Sequence, residues 1–405
     1  MNVFFKAYCR TYQAMFRVAM KIMNFRQPDI VNGLKDLPDT IANEKIDSVL
    51  IVTDDVLHNK LRLIDGLKAS LEEKGIKYVV YDKTVPNPTI GNIEEALVLY
   101  KENGCKGIVA FGGGSPMDCA KGVACRVARP KKQIAQLKGV LKVMKKVPTI
   151  FAIPTTSGTG SEATVAAIVS NPETHEKYPV NDPVLIPKYA VLEPELTVGL
   201  PKHITSTTGM DALTHAVEAY IGGSNTDLTE SMAVKATKLI FENLISVYDD
   251  GSNLKKRKNM QWASYFAGIA FTRAYVGNVH SLAHALGGMY GTPHGLANAV
   301  LLPYVLEWYG SSAYVRLAEL ANAVGIKGPS PESKAKQFIA KIKEMNEYMG
   351  IPTQLKGIKE EDLAIMAERS FKEANPLYPV PKIMSKEDMI AIYRKIAAPE
   401  ESAEI

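Results

Sequence analysis

GIVAFGGGSPMDCAKG, residues 107–122, indicates the fold class of the first half of the chain. The run GIVAFGGG (107–114) is apolar and ends in glycines, which predicts a buried strand. Ser115 as N-cap and Pro116 at the first helical position predict that a helix follows at once. The free N–H groups of such a helix start suit a pyrophosphate. Glycine also serves a plain tight turn and the G-x-G-x-x-G fingerprint is absent, so both interpretations stay open.

Further strands are predicted on both sides of this stretch, with helical segments between them. Strands that alternate with helices favour a largely parallel sheet covered on both faces. After Pro201 the pattern changes to long helical periodicities with no convincing strand. We therefore predict an N-terminal helical extension over 1–27, an α/β domain over 28–199 and an all-helical domain over 200–405, with EPELTVGLP as the connector. The predicted strands are SVLIVTDD (48–55), KYVVYD (77–82), PTIFAIPT (148–155), ATVAAIVS (163–170) and YAVLEP (189–194).

Composition excludes several classes of protein. With 405 residues, 46% hydrophobic and 22% charged, the chain is neither disordered nor fibrous. The net charge of +5 is small for this length and argues against nucleic acid as the main partner. The four cysteines form no C-x-x-C pair, which favours free thiols in a reducing compartment. We expect a cytoplasmic protein with no membrane partner.

Two segments resemble membrane or targeting signals. Residues 274–306 hold no Asp, Glu, Lys or Arg, a length that could cross a bilayer. Three histidines, two prolines and five glycines in that segment instead favour buried protein interior. Residues 1–28 carry five basic residues and no acid, as a mitochondrial presequence would, but the scattered pattern favours an amphipathic surface helix.

A second loop and a strand-end carboxylate add to the case for a dinucleotide site. PTTSGTGSEAT (154–164) places hydroxyl residues and glycines after a predicted strand, where an open α/β sheet binds its ligands. Asp54 ends the first of these strands, where a carboxylate accepts hydrogen bonds from the adenine ribose and repels a 2′-phosphate. This favours NAD over NADP. A turn or a helix cap at Asp54 is the equally weighted alternative.

Four of the seven histidines fall between residues 215 and 294 of the helical half. His215 follows Asp211 by four positions, and His284 follows His280 by the same spacing, so each pair shares one helix face. With His294 they lie among alanines, glycines and leucines, where buried polar groups need a partner and nothing local supplies one except a cation. Imidazole and carboxylate suit Fe, Zn, Ni, Co or Mn, and the absence of a nearby cysteine argues against a thiolate zinc site. A catalytic metal takes three or four ligands, so one of the five residues is expected either to contact a ligand without binding the metal or to handle protons.

Four motifs together resemble the iron-containing alcohol dehydrogenases, the metal-dependent group III of that activity. They are GGGSPMDCAK, PTTSGTGSE, GMDALTHAVEAY and HSLAHALGG…TPHGLANAVLLP, and the resemblance runs from about Pro28 to near residue 400. It implies an α/β domain that binds the nicotinamide cofactor, an all-helical domain that holds the metal, an active site in the cleft between them, and a homodimer.

The resemblance also implies roles for individual residues. The metal ligands would be Asp211, His215, His280 and His294, and His284 would lie beside the metal without binding it. The cofactor would be bound by Asp54, Asn87, Gly113, Gly114, Ser115, Asp118, Thr155, Thr156, Thr159, Lys177 and Leu192. The chain departs from the family at Ala285, where proline is frequent, and in its first 25 or so residues.

The chemistry implied is hydride transfer between a small alcohol or aldehyde and NAD, with Fe²⁺, or alternatively Zn²⁺, as the Lewis acid and His284 as a proton relay. Glycerol dehydrogenases and 3-dehydroquinate synthases share the scaffold and are the alternatives. A lyase with a phosphate-bearing substrate predicts more basic residues beside the ligands than this half carries. An iron oxygenase or a metal-storage protein would need no glycine loop.

Overall fold

The computed structural model describes residues 2–23, 25–174 and 176–399, and the C-terminal EESAEI lies outside them. The chain divides into two compact units. The α/β unit comprises Phe25–Leu200 and Gly251–Thr272, and the helical unit comprises Met1–Asn24, Pro201–Asp250 and Arg273–Ile405. Met1–Asn24, which the sequence predicts as a separate extension, thus groups with the helical unit. Gly251–Thr272, which the sequence predicts as part of the all-helical domain, groups with the α/β unit.

A six-stranded, fully parallel sheet forms the centre of the α/β unit. Its strand order is β1-β9-β6-β4-β2-β3. The strands are β1 (Asp29–Val31), β2 (Ser48–Val52), β3 (Lys77–Tyr81), β4 (Gly107–Gly112), β6 (Thr149–Pro154) and β9 (Tyr189–Val191). The α/β fold with a mostly parallel sheet is thus confirmed.

Alternate residues of the central strands enter two separate hydrophobic cores, because successive side chains point to opposite faces of a sheet. Leu50, Ile108 and Ile150 pack on one face with α4 (Ile90–Glu102) and α5 (Gly114–Ala128). Ile51, Val109 and other residues of the same strands pack on the other face with α2 (Leu37–Asn43) and α3 (Asp65–Glu73). Burial on both faces explains why these strands are apolar runs without alternation.

One predicted strand is misplaced. The stretch 163–170 was expected to continue the main sheet, but β7 (Ala166–Asn171) belongs to a separate three-stranded sheet. There it pairs antiparallel with β8 (Glu176–Asn181), which pairs parallel with β5 (Gly139–Val140). The sequence analysis missed β8 and β5. The polar hairpin partner β8, with a proline inside it, gives no apolar signal.

The start of α5 also differs from the prediction. Gly113, in an extended conformation, is the N-cap and the helix begins at Gly114, two residues before the predicted start. Ser115 therefore does not cap the helix. Its hydroxyl oxygen accepts a hydrogen bond from the Asn87 backbone N–H at 3.1 Å instead.

The helical unit contains the following helices, given in chain order. They are α1 (Val3–Ile22), α6 (Lys202–Ile221), α7 (Asp227–Asp249), α9 (Asn278–Tyr290), α10 (His294–Tyr309), α11 (Tyr314–Ala323), α12 (Pro331–Tyr348), α13 (Leu363–Ala374) and α14 (Lys386–Ile396). One further helix, α8 (Leu254–Ala274), belongs mainly to the α/β unit.

Helix α1 packs along one face against the C-terminal part of the helical unit. The Phe5 and Phe371 rings stack with centroids 5.4 Å apart, and the buried Gln13 donates to the Tyr378 carbonyl oxygen at 2.7 Å. Arg10 donates to the Val380 carbonyl oxygen at 2.7 Å. The predicted amphipathic helix is present, and its contacts make it part of this unit's packing.

The uncharged segment 274–306 is protein interior only in part: residues 287–296 are half-buried or exposed, whereas most residues on either side of them are buried. It forms most of α9 and α10, which are separated by a turn at residues 291–293. Among the residues that the structure describes, no helix is both long and apolar enough to cross a membrane. The four cysteines are free and buried.

Candidate functional site

Two loops meet at the carboxyl edge of the main sheet. β4 and β6 are neighbours in register, with Gly112 opposite Pro154. A Cβ atom on Gly114 would lie 2.9 Å from Thr159 Cγ2, and one on Gly113 would lie 3.3 Å from Thr156 Oγ1. The glycines therefore let the two loops approach each other. The structure brings together the candidate cofactor residues of both loops, including Thr155, whose N–H donates to the Gly112 carbonyl oxygen.

Three more of the candidate cofactor residues meet beside this edge. Asn87 adopts a left-handed conformation, with φ of 58°. Its Oδ1 accepts from Lys177 Nζ at 2.6 Å, and its backbone N–H donates to Ser115 Oγ. The left-handed turn at Asn87 thus brings a cation and a hydroxyl next to the start of α5, where free N–H groups favour anions.

Asp54 and Leu192 follow other strands of the same sheet. Asp54 comes after β2, and its Oδ1 accepts a hydrogen bond from the Leu57 backbone N–H at 3.0 Å. This local cap is the alternative that the sequence left open, and it uses one carboxylate oxygen. Leu192 is buried directly after β9. Both residues lie at strand carboxyl ends, where α/β sheets bind ligands.

A buried lysine that the sequence analysis missed lies under the second loop. Lys121 on α5 is 0% exposed. Its Nζ donates to five oxygens between 2.7 and 3.0 Å: the carbonyls of Ser161, Thr164 and Ala166 and the hydroxyls of Ser161 and Thr164. The Ser161 hydroxyl also donates to Asp118 Oδ1 at 3.3 Å. Burial lowers the Lys121 pKa, and the nearby carboxyl groups of Asp118 and Glu162 oppose that shift.

Gly160 brings the same loop against α8. Its φ is 58°, and a Cβ atom there would lie 2.5 Å from the Ser264 carbonyl oxygen and 2.8 Å from Gly268 Cα. Only glycine tolerates both this conformation and this approach. The Gly160 N–H donates to Ser264 Oγ at 3.1 Å. This contact explains why Gly251–Thr272 groups with the α/β unit.

Glu162 makes the stability of the α/β unit depend on pH. It is 2% exposed, and burial raises its pKa from 4.5 to about 7. The folded state therefore binds the extra proton between these values, and the stabilisation present below pH 4.5 is lost as the pH rises through 7.

We expect Glu162→Gln to become more stable than the unsubstituted protein over that pH range, by roughly 2–3 kcal/mol at pH 7.5. Urea unfolding between pH 4.5 and 7.5 measures the difference. The exposed Glu173→Gln serves as the control and should show no such trend. A pH-independent difference for Glu162→Gln would contradict the assignment.

The predicted ligands converge in the helical unit. One oxygen or nitrogen from each of four residues lies within 4.8 Å of the other three. From Asp211 Oδ1 the distances are 4.0 Å to His215 Nδ1, 3.9 Å to His280 Nε2 and 3.5 Å to His294 Nε2. Ligand atoms on one ion with bonds of about 2.1 Å lie up to about 4.2 Å apart. The donor set and its spacing therefore fit a divalent metal after a small contraction.

A buried carboxylate fixes the orientation of one of these imidazoles. Glu218 Oε2 is 2.6 Å from His280 Nδ1, and its two oxygens accept from the Gly277 N–H at 2.9 Å and the Val279 N–H at 2.7 Å. Burial raises the Glu218 pKa to about 7 and lowers the His280 pKa well below its ordinary value. With Nδ1–H donated to the carboxylate, Nε2 of neutral His280 keeps its lone pair for a metal.

His284 has a similar partner but a more open position. Its Nδ1 is 2.6 Å from Glu373 Oε1, which also accepts from the Tyr378 hydroxyl at 2.6 Å. The side chains of His284 and His294 are 22% and 27% exposed, whereas Asp211 and His280 are buried. Solvent therefore reaches the cluster from the side of these two imidazoles, whose rings stack 5.2 Å apart.

Sequence reasoning missed three polar residues around the cluster. Glu218 lies three positions after His215 on α6, and Asn298 lies four after His294 on α10, so helical spacing could have found both. Glu373, which is 89 residues from His284, gave no such signal. The expectation that nothing but a cation could satisfy the buried histidines was wrong, because these carboxylates contact two of them.

Comparison with known proteins places the chain in a family. Residues 30–194 match the iron-containing alcohol dehydrogenase family, and residues 205–397 match the C-terminal part of the Fe-containing alcohol dehydrogenase family. Alcohol dehydrogenase 4 of Saccharomyces cerevisiae is 40% identical over 367 residues, which are 90% of this chain and 94% of that protein. The NAD-dependent methanol dehydrogenase of Bacillus methanolicus is 36% identical over 80% of this chain and 86% of its own length.

A solved structure agrees with these matches. A 1,3-propanediol oxidoreductase superposes with a TM-score of 0.88 at 34% identity and covers 93% of this chain and all of its own. Fold and matches together define an oxidoreductase that acts on CH–OH groups. More particularly, the chain belongs to the iron-containing alcohol dehydrogenase family, as the sequence motifs predict.

Proposed function

We propose that this protein transfers a hydride between a small alcohol or aldehyde and NAD(H), with Fe²⁺ held by Asp211, His215, His280 and His294. The buried cluster of one carboxylate and three imidazoles is the observation that carries the proposal. Imidazole also suits zinc, so the choice of iron rests on the family. The relatives that act on methanol and 1,3-propanediol support a small substrate.

The bound groups supply the reactive chemistry: the metal is a Lewis acid toward the substrate oxygen, and the nicotinamide exchanges the hydride. The chain's own residues determine the charge around the substrate oxygen. Three neutral imidazoles and a single carboxylate, Asp211, leave a divalent site with net positive charge, which favours an anionic oxygen. Glu218 keeps the His280 Nδ1–H in place, so His280 Nε2 stays directed at the cluster.

His284 is the candidate for moving the proton of the substrate hydroxyl. Its Nδ1 is held by Glu373, so Nε2 is the nitrogen left to accept a proton from the substrate side. The partial exposure of this side chain gives the proton a route to solvent. Glu373 would stabilise the imidazolium that forms, and the Tyr378 hydroxyl keeps that carboxylate in place.

The candidate cofactor residues suit NAD. The N–H groups at the start of α5 and the hydroxyls after β6 would bind the pyrophosphate and neighbouring ribose. The Asp54 oxygen that does not cap Leu57 is available to a ribose hydroxyl and would repel a 2′-phosphate. The NAD dependence of the methanol dehydrogenase relative supports this preference.

We expect chelated protein to lose at least about a thousandfold in turnover and to regain it with Fe²⁺, because a Lewis-acid metal contributes several kcal/mol to the transition state. The assay is anaerobic and follows NADH absorbance with a panel of short alcohols and aldehydes, each also run with NADPH. Zn²⁺ restoration compares the two metals. If NADH binds but no alcohol or aldehyde turns over with either metal, the proposal is wrong.

A further inference from the structure

One asparagine contacts three of the four candidate ligands. Asn298 on α10 is fully buried. Its Nδ2 lies 2.7 Å from Asp211 Oδ1, 3.2 Å from His280 Nε2 and 3.2 Å from His294 Nε2. These three atoms face one another in the cluster, because Asp211 Oδ1 lies 3.9 Å from His280 Nε2 and 3.5 Å from His294 Nε2. The amide group is therefore directed at the centre of the ligand set.

A carboxamide N–H group and a cation compete for the same electrons. Neutral imidazole offers one lone pair at the unprotonated nitrogen, and a metal takes that lone pair as its bond. A hydrogen bond from Asn298 to His280 Nε2 or His294 Nε2 must therefore be given up when an ion binds. The contact with Asp211 differs, because a carboxylate oxygen can bind an ion and accept a hydrogen bond at the same time, so the competition concerns the two imidazoles.

The oxygen of the same amide, Asn298 Oδ1, determines which way the amide points in the absence of an ion. Among the residues that the structure describes, none hydrogen-bonds the buried Asn298 Oδ1. A half-turn of the amide would place this oxygen toward Asp211, where two oxygens repel unless a cation lies between them. Without an ion, the N–H groups consequently have the lower energy in this position.

We propose that Asn298 is a positioning residue that stabilises the ligand set when it holds no ion, and that it does so at the expense of metal affinity. This inference rests on the proposed metal site. Its N–H groups keep a buried carboxylate and two imidazoles hydrogen-bonded, which lets the helical unit fold with its ligands together before the metal binds. Removal of the amide takes these hydrogen bonds away, so metal binding no longer has to break them.

The test compares metal affinity and stability in Asn298→Ala and Asn298→Leu. Leucine keeps most of the side-chain volume, so a cavity does not decide the result. The probes are Zn²⁺ and Co²⁺ in competition with a chelator, and thermal unfolding of chelated and loaded protein. Asn346→Ala is the matched control: Asn346 is a second buried asparagine, its Nδ2 donates to the Ala299 carbonyl oxygen, and it makes no contact with the ligands.

We expect both Asn298 variants to bind the metals about tenfold more tightly, since each buried hydrogen bond is worth on the order of 1 kcal/mol. Their chelated forms should melt earlier than chelated unsubstituted protein, with a larger rise in Tm on loading, while Asn346→Ala changes only the Tm. Unchanged affinity would overturn the inference, and weaker affinity would identify Asn298 Oδ1 as a ligand instead. If the unsubstituted protein binds neither metal, the proposed site itself fails.

Discussion

His280→Ala should abolish metal-dependent turnover, with a loss of about a thousandfold or more, because the metal's contribution of several kcal/mol depends on its ligands. The substitution removes one imidazole nitrogen from the cluster. It also removes the closest partner of the buried Glu218 carboxylate, His280 Nδ1 at 2.6 Å. Glu218 is then held less firmly beside the remaining ligands. Metal content of the purified variant and NADH oxidation at saturating aldehyde measure the effect.

Two comparisons separate loss of the metal from general unfolding. The exposed His203→Ala removes a histidine from α6, the helix of Asp211 and His215, and should change neither metal content nor turnover. The candidate cofactor residues all belong to the α/β unit, so NADH affinity of His280→Ala should stay close to that of the unsubstituted protein. Full turnover in His280→Ala would exclude this histidine as a ligand.

Glu218 shows why the ligand histidine and its carboxylate act together. A glutamine there could accept from His280 Nδ1–H through its oxygen, but its NH₂ group would then face the backbone N–H of Val279. Two donors would be opposed in a buried place. Even the conservative substitution Glu218→Gln is therefore not neutral. The reason is the pair of hydrogen bonds that backbone N–H groups donate to Glu218, and residue type alone does not reveal them.

Much of the α/β fold could be predicted because its strands are buried on both faces. Residues 108–111 alternate between two cores yet are all apolar, and this continuous run predicts the strand. The strand β8 could not be found in the same way. Its residues Glu176, Lys177 and Pro179 carry exposed or polar character, and only a hairpin with β7 makes the segment a strand.

The grouping of α8 with the α/β unit illustrates a different limit. A helical periodicity predicts the helix but says nothing about its packing partner. That partner is decided by the absence of side chains at Gly160 and Gly268, which lie on separate segments about 100 residues apart. Close approach of two glycines leaves no pattern in either segment by itself.

Part of the candidate metal cluster could be predicted, because the spacing of two residues within one helix is visible in the sequence. Asp211 and His215 share one face of α6, whereas His280 and His294 lie on two other helices far along the chain, α9 and α10, and the family resemblance is what groups them with the first pair. The carboxylate partner Glu373 could not be inferred, because α13 reaches His284 only through the fold. Helical spacing thus indicates candidate ligands, the resemblance implies which four they are, and the carboxylates that contact them become visible only in the structure.

Lys121 is the residue in the α/β unit whose replacement should be most destabilising. It is fully buried and its ammonium group donates to five oxygens, among them the backbone carbonyls of Ser161 and Thr164 in the second loop and of Ala166 at the start of β7. Asp118 and Glu162, both buried carboxyl groups, also interact favourably with its charge.

We expect Lys121→Met to lower the free energy of unfolding by about 3–5 kcal/mol, the cost of removing one partner from a buried charged network. Methionine is close in length but donates no hydrogen bond, so the carbonyls of Ser161 and Thr164 would be buried without a donor. The loop that carries Thr155, Thr156 and Thr159 would then lose its support, and NADH affinity should fall at least about tenfold. Urea unfolding and NADH fluorescence titration measure the two effects.

The matched control is Lys106→Met, which removes an exposed lysine paired with Asp47 in the same unit. Exposed ion pairs contribute roughly 0–1 kcal/mol, so this variant should unfold close to the unsubstituted protein. Metal affinity should stay constant in both variants, because all four candidate ligands lie in the helical unit. A Lys121→Met protein that is as stable as Lys106→Met, with unchanged NADH affinity, would show that the five hydrogen bonds do not hold the loop. A fall in stability with unchanged NADH affinity would restrict the role of Lys121 to folding.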